Sequence, residues 1–170
     1  MLVSSRFLEL SSISFGSVSP TGLASRLDFE GELLEDEQVR ALADGRLAAE
    51  LPALVPPSIV VSTTDNRRTQ LHPDVLAAGG DLPPLQVEPD GLVRAMPLYE
   101  GTVGSLLREP LAVLWERAIE RWSDPFVVET LRPVTTMRAW AEATRRLDQR
   151  FASADDLARI ARRPRYTRDA

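Results

Sequence analysis

Residues 110–122, PLAVLWERAIERW, carry the clearest structural signal in this chain. Apolar residues recur at helical spacing and share one wide face, while acidic residues and arginines share the opposite face. Pro110 suits the first turn of a helix, because the N–H that it lacks would have no partner there. The segment therefore predicts an amphipathic helix. Its apolar face consists of Leu111, Leu114, Trp115, Ala118, Ile119 and Trp122.

Further helices are predicted between this one and the C-terminus. Pro125 begins a short helix, Thr135 or Thr136 caps a longer one, and Ser153 caps a last one that ends before Pro164. The last seventy residues are thus predicted to be helical. The longer helix presents a buried face formed by Met137, Trp140, Thr144, Leu147 and Phe151.

On the N-terminal side the pattern changes to short alternating runs that are typical of strands. Ile13 and Phe15 alternate with small polar residues, and Leu27 and Phe29 alternate with charged residues within residues 23–32. A Pro-Thr-Gly turn separates the two runs. We therefore expect a β-hairpin here.

Helical spacing returns after Glu35, where acidic residues favour the start of a helix that should end before Pro52. Residues 58–64, SIVVSTT, form a short β-branched run, which makes them the predicted central strand. Residues 85–87 and 92–96 flank a Glu-Pro-Asp-Gly turn and predict a second hairpin.

These patterns predict an α+β fold, in which a small, mostly antiparallel sheet from the N-terminal ~100 residues packs against a helical C-terminal half. A chain of 170 residues with 44% apolar content is near the usual size of one domain. We expect a single domain over residues 1–163, strand-rich to residue 100 and helical from residue 101. Residues 164–170 are predicted to form a flexible, arginine-rich tail.

The composition excludes several kinds of chemistry. The chain has no cysteine, which excludes disulfides, thiolate nucleophiles and cysteine-ligated metal centres. It also has no lysine, which excludes a Schiff-base lysine and the usual phosphate-binding loop. The single histidine, His72, precedes Pro73, a position more typical of a turn or helix cap than of a catalytic base. We predict a protein that is not an enzyme and has no catalytic residue, cofactor or metal.

Arginines are concentrated at the C-terminal end, where eight of the 20 lie between Arg145 and Arg168. Residues 1–100 hold 15 acidic residues and 7 arginines, whereas residues 101–170 hold 10 acidic residues and 13 arginines. Arginine binds carboxylates and phosphates through a planar fork of donors. The predicted partner-binding residues are Arg145, Arg146, Arg150, Arg159, Arg162, Arg163, Arg165, Tyr166 and Arg168.

The opposite charges of the two parts suit docking between copies or on a mixed surface. The leading prediction is a non-enzymatic structural, assembly or adaptor subunit. It would bind other protein copies through its acidic N-terminal half and its arginine-rich C-terminal end. Arginine without lysine also fits a GC-rich genome, so a component of a phage or other multi-subunit particle of a high-GC bacterium is one concrete form.

Two other functions stay open. The same arginines are suited to nucleic-acid phosphates, although the net charge is −5 and no nucleic-acid-binding motif accompanies them. The third function is a small ligand-binding or hydrolase domain centred on a loop from Ser62 to His72. That loop places hydroxyls, Asp65 and two arginines after the predicted central strand, where open sheets bind ligands.

No stretch of the sequence reaches the roughly 20 apolar residues that span a bilayer. Arg6, Glu9 and several serines interrupt the N-terminal segment, so it lacks the apolar core of a signal peptide. We therefore expect no membrane partner and a cytoplasmic location, or assembly into a particle in the cytoplasm. A protein partner or a homo-oligomer is predicted, with nucleic acid as the alternative.

Overall fold

The computed structural model describes residues 10–78 and 84–167. Within these residues helices combine with short strands, and the C-terminal half is helical, so the α+β class is confirmed at that level. The chain divides into two units, the first formed by Met1–Val18 and Leu34–Asn66, the second by Ser19–Leu33 and Arg67–Ala170. The single domain over residues 1–163 stays a prediction.

The first unit is built around two parallel strands, β1 (Ser12–Gly16) and β2 (Val60–Thr64). Parallel strands need a long crossover, and the chain between these two contains α1 (Asp36–Ala43) and α2 (Arg46–Glu50). The predicted hairpin is therefore wrong, because β1 pairs with a strand far along the chain. β2 is not central either, since it pairs with β1 alone in the described residues and Val60 is 67% exposed.

The predicted helix from Glu35 to before Pro52 is interrupted. It begins as expected, with the Glu35 backbone N–H donating to Gln38 Oε1 at 2.9 Å. Gly45 then adopts a left-handed conformation with φ of 73°, which ends α1 and starts α2. Helical spacing continues through the glycine, so spacing alone did not reveal the break.

A pair of 3₁₀ helices replaces the strand predicted at residues 23–32: Gly22–Ser25 and Leu27–Glu32. The Ser25 hydroxyl donates to a backbone carbonyl one turn earlier at 2.9 Å, a local bond that competes with sheet pairing. Arg145 from the helical half also donates to the Ser25 carbonyl. Alternation of apolar and charged residues thus did not produce a strand here.

The second unit contains an antiparallel sheet in the order β3-β4-β5: Gln86–Val87, Leu92–Arg94 and Gly104–Ser105. The hairpin predicted around the Glu-Pro-Asp-Gly turn is confirmed, with Gly91 at a φ of 79°. The sheet is not drawn from the first hundred residues alone, because β5 follows residue 100. Nor are those residues mainly strand, since they include α1, α2, α3 (Pro73–Ala77) and several 3₁₀ helices.

The helices predicted for the C-terminal half are confirmed as α4 (Leu111–Trp122), α5 (Pro125–Leu131), α6 (Met137–Phe151) and α7 (Ala154–Ala161). Side chains cap three of them: Asp124 accepts from a backbone N–H of α5, Thr136 from one of α6, and Ser153 from one of α7. Each cap satisfies a donor that the first turn leaves without a helical partner.

The core of the second unit joins the sheet to the helices through buried indole and phenol groups. Trp122 Nε1 donates to the Ala95 carbonyl at 2.7 Å. Trp140 Nε1 donates to the Tyr99 hydroxyl at 3.0 Å, and that hydroxyl donates to the Gln70 carbonyl at 2.8 Å. The same unit contains these fully buried apolar residues: Val93, Leu114, Val127, Leu131, Met137 and Leu147.

Candidate functional site

The predicted partner-binding residues divide into those bonded within the molecule and those that face solvent. Arg145 lies on α6 and forms an ion pair with Glu30 at 2.9 Å. Arg162 and Arg165 are exposed beyond the end of α7, and Arg168 lies outside the described residues. The eight described members therefore do not form one continuous set of free cations.

Glu100 binds two of the predicted arginines and a third from the sheet. Its Oε1 atom lies 2.8 Å from Arg159 and 3.0 Å from Arg163, and its Oε2 atom lies 3.1 Å from Arg94. Only 8% of the Glu100 side chain is exposed. These four residues, called the Glu100 cluster, hold the end of the chain through charge-assisted bonds inside the second unit.

A second buried carboxylate, Asp148, lies beside the Glu100 cluster. Asp148 Oδ1 accepts from the Glu100 backbone N–H at 2.7 Å. Burial raises the pKa of Asp148 to about 6, and the negative charge of Glu100 acts in the same direction. The backbone hydrogen bond and the charges of Arg163 and Arg94 oppose that rise. Asp148 is thus a buried acid whose protonation changes below neutral pH.

Residues 164–167, the described part of the predicted tail, contact the 3₁₀ segment of the same unit. The Tyr166 backbone N–H donates to Asp28 Oδ2 at 3.0 Å, and just before the tail Arg26 donates to the Arg163 carbonyl at 3.1 Å. The Tyr166 ring packs edge-on against Phe29, with 4.9 Å between ring centroids. The tail prediction itself is not tested, but Tyr166 has partners within its own molecule.

Two of the predicted arginines, Arg146 and Arg150, belong to a different surface. We call it the arginine–phenylalanine patch, and it consists of Arg121, Phe126, Arg146, Arg150 and Phe151. The guanidinium carbons of Arg146 and Arg150 lie 5.6 Å and 5.8 Å from the centroid of the Phe126 ring. Arg121 lies 3.9 Å from the centroid of Phe151, and the two rings pack edge-on at 6.1 Å. The patch therefore combines three guanidinium groups with two aromatic rings.

Local structure positions the patch. Arg146 and Arg150 are one turn apart on α6, so both reach the same ring. Phe126 sits in the first turn of α5, where the Asp124 carboxylate accepts its backbone N–H at 2.8 Å. Burial lowers the pKa of Arg121, while Asp124 acts to raise it. In the described part of the chain, neither Arg146 nor Arg150 forms an ion pair.

Sequence reasoning identified Arg146 and Arg150 but missed the other members of the patch. Phe151 is predicted on the buried face of its helix, and it proves to be only half-buried, as is Phe126. Arg121 was placed on the solvent face of its helix. Helical spacing between Arg146 and Arg150 was a usable signal, but their approach to Phe126 depends on how α5 packs against α6.

The loop predicted as a ligand site spans both units. Ser62 to Asn66 belong to the first unit and Arg67 to His72 to the second. His72 caps α3, since its Nδ1 accepts from the Asp74 backbone N–H at 3.2 Å, and its Nε2 lies 3.1 Å from the Arg132 carbonyl. Both ring nitrogens thus have backbone partners, as expected for a structural histidine.

A polar cleft of about 430 Å³ borders the Glu100 cluster. Its charged lining residues are largely paired with one another: Glu88 lies 2.7 Å from Arg94, and Asp156 lies 3.2 Å from Arg159. Asp90 caps the adjacent turn by accepting from a backbone N–H at 3.0 Å. The cleft wall is therefore a network of ion pairs that offers few unpaired groups to a ligand.

No family model matches the chain, and no curated protein or solved structure proved similar to it. Over residues 10–78 and 84–167, no helix has the length and apolar character needed to cross a membrane. Among the same residues, no group of three or more histidine, aspartate or glutamate side chains is arranged to hold a metal ion. The geometry of the chain's own residues is the basis for inferring its function.

Proposed function

We propose that the protein is a non-enzymatic assembly or adaptor subunit that binds an acidic protein surface through the arginine–phenylalanine patch. Of the nine residues predicted from the sequence, the patch keeps Arg146 and Arg150, and it adds Arg121, Phe126 and Phe151. A component of a phage or other multi-subunit particle is one concrete form of this proposal.

The observation that carries the proposal is the exposure of Arg146 and Arg150 together with the contacts that they make. Both are exposed, both lie within 6 Å of one ring centroid, and neither has a carboxylate partner among the described residues. Arginine and aromatic residues are enriched where binding energy concentrates in protein interfaces. A guanidinium group is weakly hydrated, so it loses little hydration free energy when it binds a carboxylate. Contact with an aromatic ring also restricts its side chain, so it loses less conformational entropy on binding.

The pairing of the other arginines supports a protein partner over nucleic acid. Arg145, Arg159 and Arg163 are bound to Glu30 and Glu100, which leaves fewer guanidinium groups for phosphates. Affinity for nucleic acid rises with the number of phosphate contacts, and the chain has a net charge of −5. A compact patch with two rings suits a small protein interface better than a long phosphate backbone.

The test is light scattering after size exclusion, at about 50 mM and about 500 mM salt, because screening weakens contacts between exposed charges. We compare the wild type with Arg146→Glu/Arg150→Glu. The matched control is Arg68→Glu/Arg108→Glu, which makes the same change of charge at exposed arginines outside the patch.

We expect the wild type and the control to form an oligomer that dissociates at high salt, and the patch variant to be monomeric. A wild type that is monomeric at both salt concentrations would contradict self-assembly. If it then shifts labelled single- or double-stranded DNA or RNA in a salt-dependent way that the patch variant abolishes, the nucleic-acid alternative replaces the proposal.

A further inference from the structure

We propose that the acidic surface bound by the arginine–phenylalanine patch is a groove on the first unit of a second copy of this chain. The inference rests on the proposed function and names the site that receives the patch. The groove has a volume of about 590 Å³ and is lined by residues of β1, α1 and α2 and the segment before α1. We call it the first-unit groove.

Several of the residues that line the first-unit groove are apolar. Phe15, at the end of β1, is 42% exposed, and Leu34, Ala41 and Leu47 line the groove beside it. Gly16, which follows Phe15, also lines the groove. Binding pockets commonly measure roughly 300–1,000 Å³, so a cavity of this size accepts an aromatic ring.

The charged residues that line the first-unit groove carry a net negative charge. Its one arginine, Arg46, is paired with Asp44 at 2.8 Å, and bonds to Arg46 keep the pKa of Asp44 below its usual value. Glu37 and Glu50 also line the groove, are exposed, and form no ion pair within the described residues. Two carboxylates without an ion-pair partner among the described residues therefore line the groove together with apolar side chains.

The groove and the patch match in chemistry. The groove offers apolar surface together with the Glu37 and Glu50 carboxylates, and the patch offers phenylalanine rings beside the Arg146 and Arg150 guanidinium groups. Carboxylate and guanidinium groups form the strongest ion pairs that side chains make. Because the two surfaces differ, one copy binds the next in a heterologous, head-to-tail contact that closes into a ring or continues as a chain.

A head-to-tail contact is tested by blocking one surface on each of two proteins. The groove variant is Glu37→Arg/Glu50→Arg, and the patch variant is Arg146→Glu/Arg150→Glu. Glu116→Arg/Asp155→Arg makes the same change of charge as the groove variant at exposed acidic residues elsewhere. Each protein, and an equimolar mixture of the groove and patch variants, is examined by light scattering at low salt.

We expect each blocked variant alone to be monomeric, with association at least about 100-fold weaker than in the wild type. The mixture should associate again, because the groove variant keeps the patch, the patch variant keeps the groove, and their two reversed surfaces also match in charge. A chain that carries all four substitutions should associate again, since both charges of each pair are then reversed. The Glu116→Arg/Asp155→Arg control should match the wild type.

The outcomes separate this inference from the proposed function. If the wild type forms an oligomer that needs the patch but the groove variant also forms it, the patch binds another surface, and only the groove assignment is overturned. If the wild type is monomeric, this inference is overturned together with the self-assembly form of the proposed function. Circular dichroism confirms that each variant is folded. If the groove variant is not folded, Glu37→Gln/Glu50→Gln replaces it. We then expect association at low salt to weaken by about tenfold, and a smaller effect would overturn the groove assignment.

Discussion

Asp148 makes the stability of the second unit depend on pH. Burial raises its pKa to about 6 from an ordinary value of 3.8. The folded state therefore keeps a proton that the unfolded state releases at lower pH. The free energy of unfolding then falls as pH rises from about 4 to 6, by up to ~3 kcal/mol.

Replacing Asp148 by asparagine should remove this dependence, because the amide keeps an oxygen acceptor for the Glu100 N–H and carries no charge. We expect the free energy of unfolding of Asp148→Asn to exceed that of the wild type by ~1–3 kcal/mol at pH 8 and to equal it near pH 4. Urea unfolding at the two pH values measures this, with the exposed Asp155→Asn as control. A difference between variant and wild type that is the same at both pH values would contradict the assignment.

The Tyr99 hydroxyl joins two buried groups, since it accepts from Trp140 Nε1 at 3.0 Å and donates to the Gln70 carbonyl at 2.8 Å. Tyr99→Phe removes the shared partner and leaves both groups buried and unsatisfied. We expect a loss of ~2 kcal/mol in the free energy of unfolding, measured by chemical denaturation. Tyr166→Phe is the control, because the ring and backbone of Tyr166, rather than its hydroxyl, make its observed contacts. Equal losses in the two variants would argue against this role of Tyr99.

Among the elements, α7 depends on ion pairs rather than on burial. None of its residues is buried, and Arg159 within it and Arg163 just beyond it both bind Glu100. Ion pairs to a buried carboxylate contribute more than exposed ones, and losing one partner leaves the others uncompensated. The attachment of α7 is therefore concentrated in a single side chain.

Glu100→Gln should loosen α7 without unfolding the rest of the unit. We expect backbone amides of α7 to exchange with solvent about tenfold faster, while exchange in α6 stays within about twofold of the wild type. Hydrogen exchange followed by mass spectrometry or NMR gives this comparison. Glu109→Gln is a matched control, because it breaks an ion pair with Arg117 in another part of the unit. Unchanged exchange in α7 would show that the Glu100 cluster does not hold it.

The elements differ in how well local sequence predicted them. α6 and α7 start where Thr136 and Ser153 cap them, as expected, because a cap is a contact within a few residues. A strand was predicted where the structure has the 3₁₀ helices Gly22–Ser25 and Leu27–Glu32. Contacts from distant residues such as Arg145 support the 3₁₀ conformation. Hydrogen bonds between residues close in the chain therefore predicted helix boundaries correctly. Alternation of apolar and charged residues did not predict a strand correctly, because the strand with which it would pair was not known.

For the whole molecule, the C-terminal segment and the arginine–phenylalanine patch should make separate contributions. A chain that ends at Ala161 lacks Arg163 and Tyr166, and so loses their bonds to Glu100, Asp28 and Phe29. It keeps every residue of the patch. We expect its thermal midpoint to fall by about 5 °C while the low-salt oligomer persists.

A chain that ends at Thr167 is the control for this truncation, since it keeps all of these contacts and should match the full chain in both measurements. Differential scanning calorimetry and light scattering supply the two readouts. Loss of the oligomer at Ala161 with an unchanged thermal midpoint would place the interface in residues 162–170 and not in the patch.

The sequence by itself determined the helical C-terminal half, its caps, the hairpin at the Glu-Pro-Asp-Gly turn, the absence of cysteine and lysine chemistry, and the crowding of arginines toward one end. These properties depend on composition or on neighbours a few residues apart. Only the tertiary structure decided that β1 pairs in parallel with β2, that Glu100 binds Arg159 and Arg163, and that Arg146 and Arg150 share the Phe126 ring. Those contacts join residues that are distant in the chain. A guanidinium group is equally suited to a partner inside the molecule or outside it. The role of each arginine therefore depends on which carboxylate the fold brings near it.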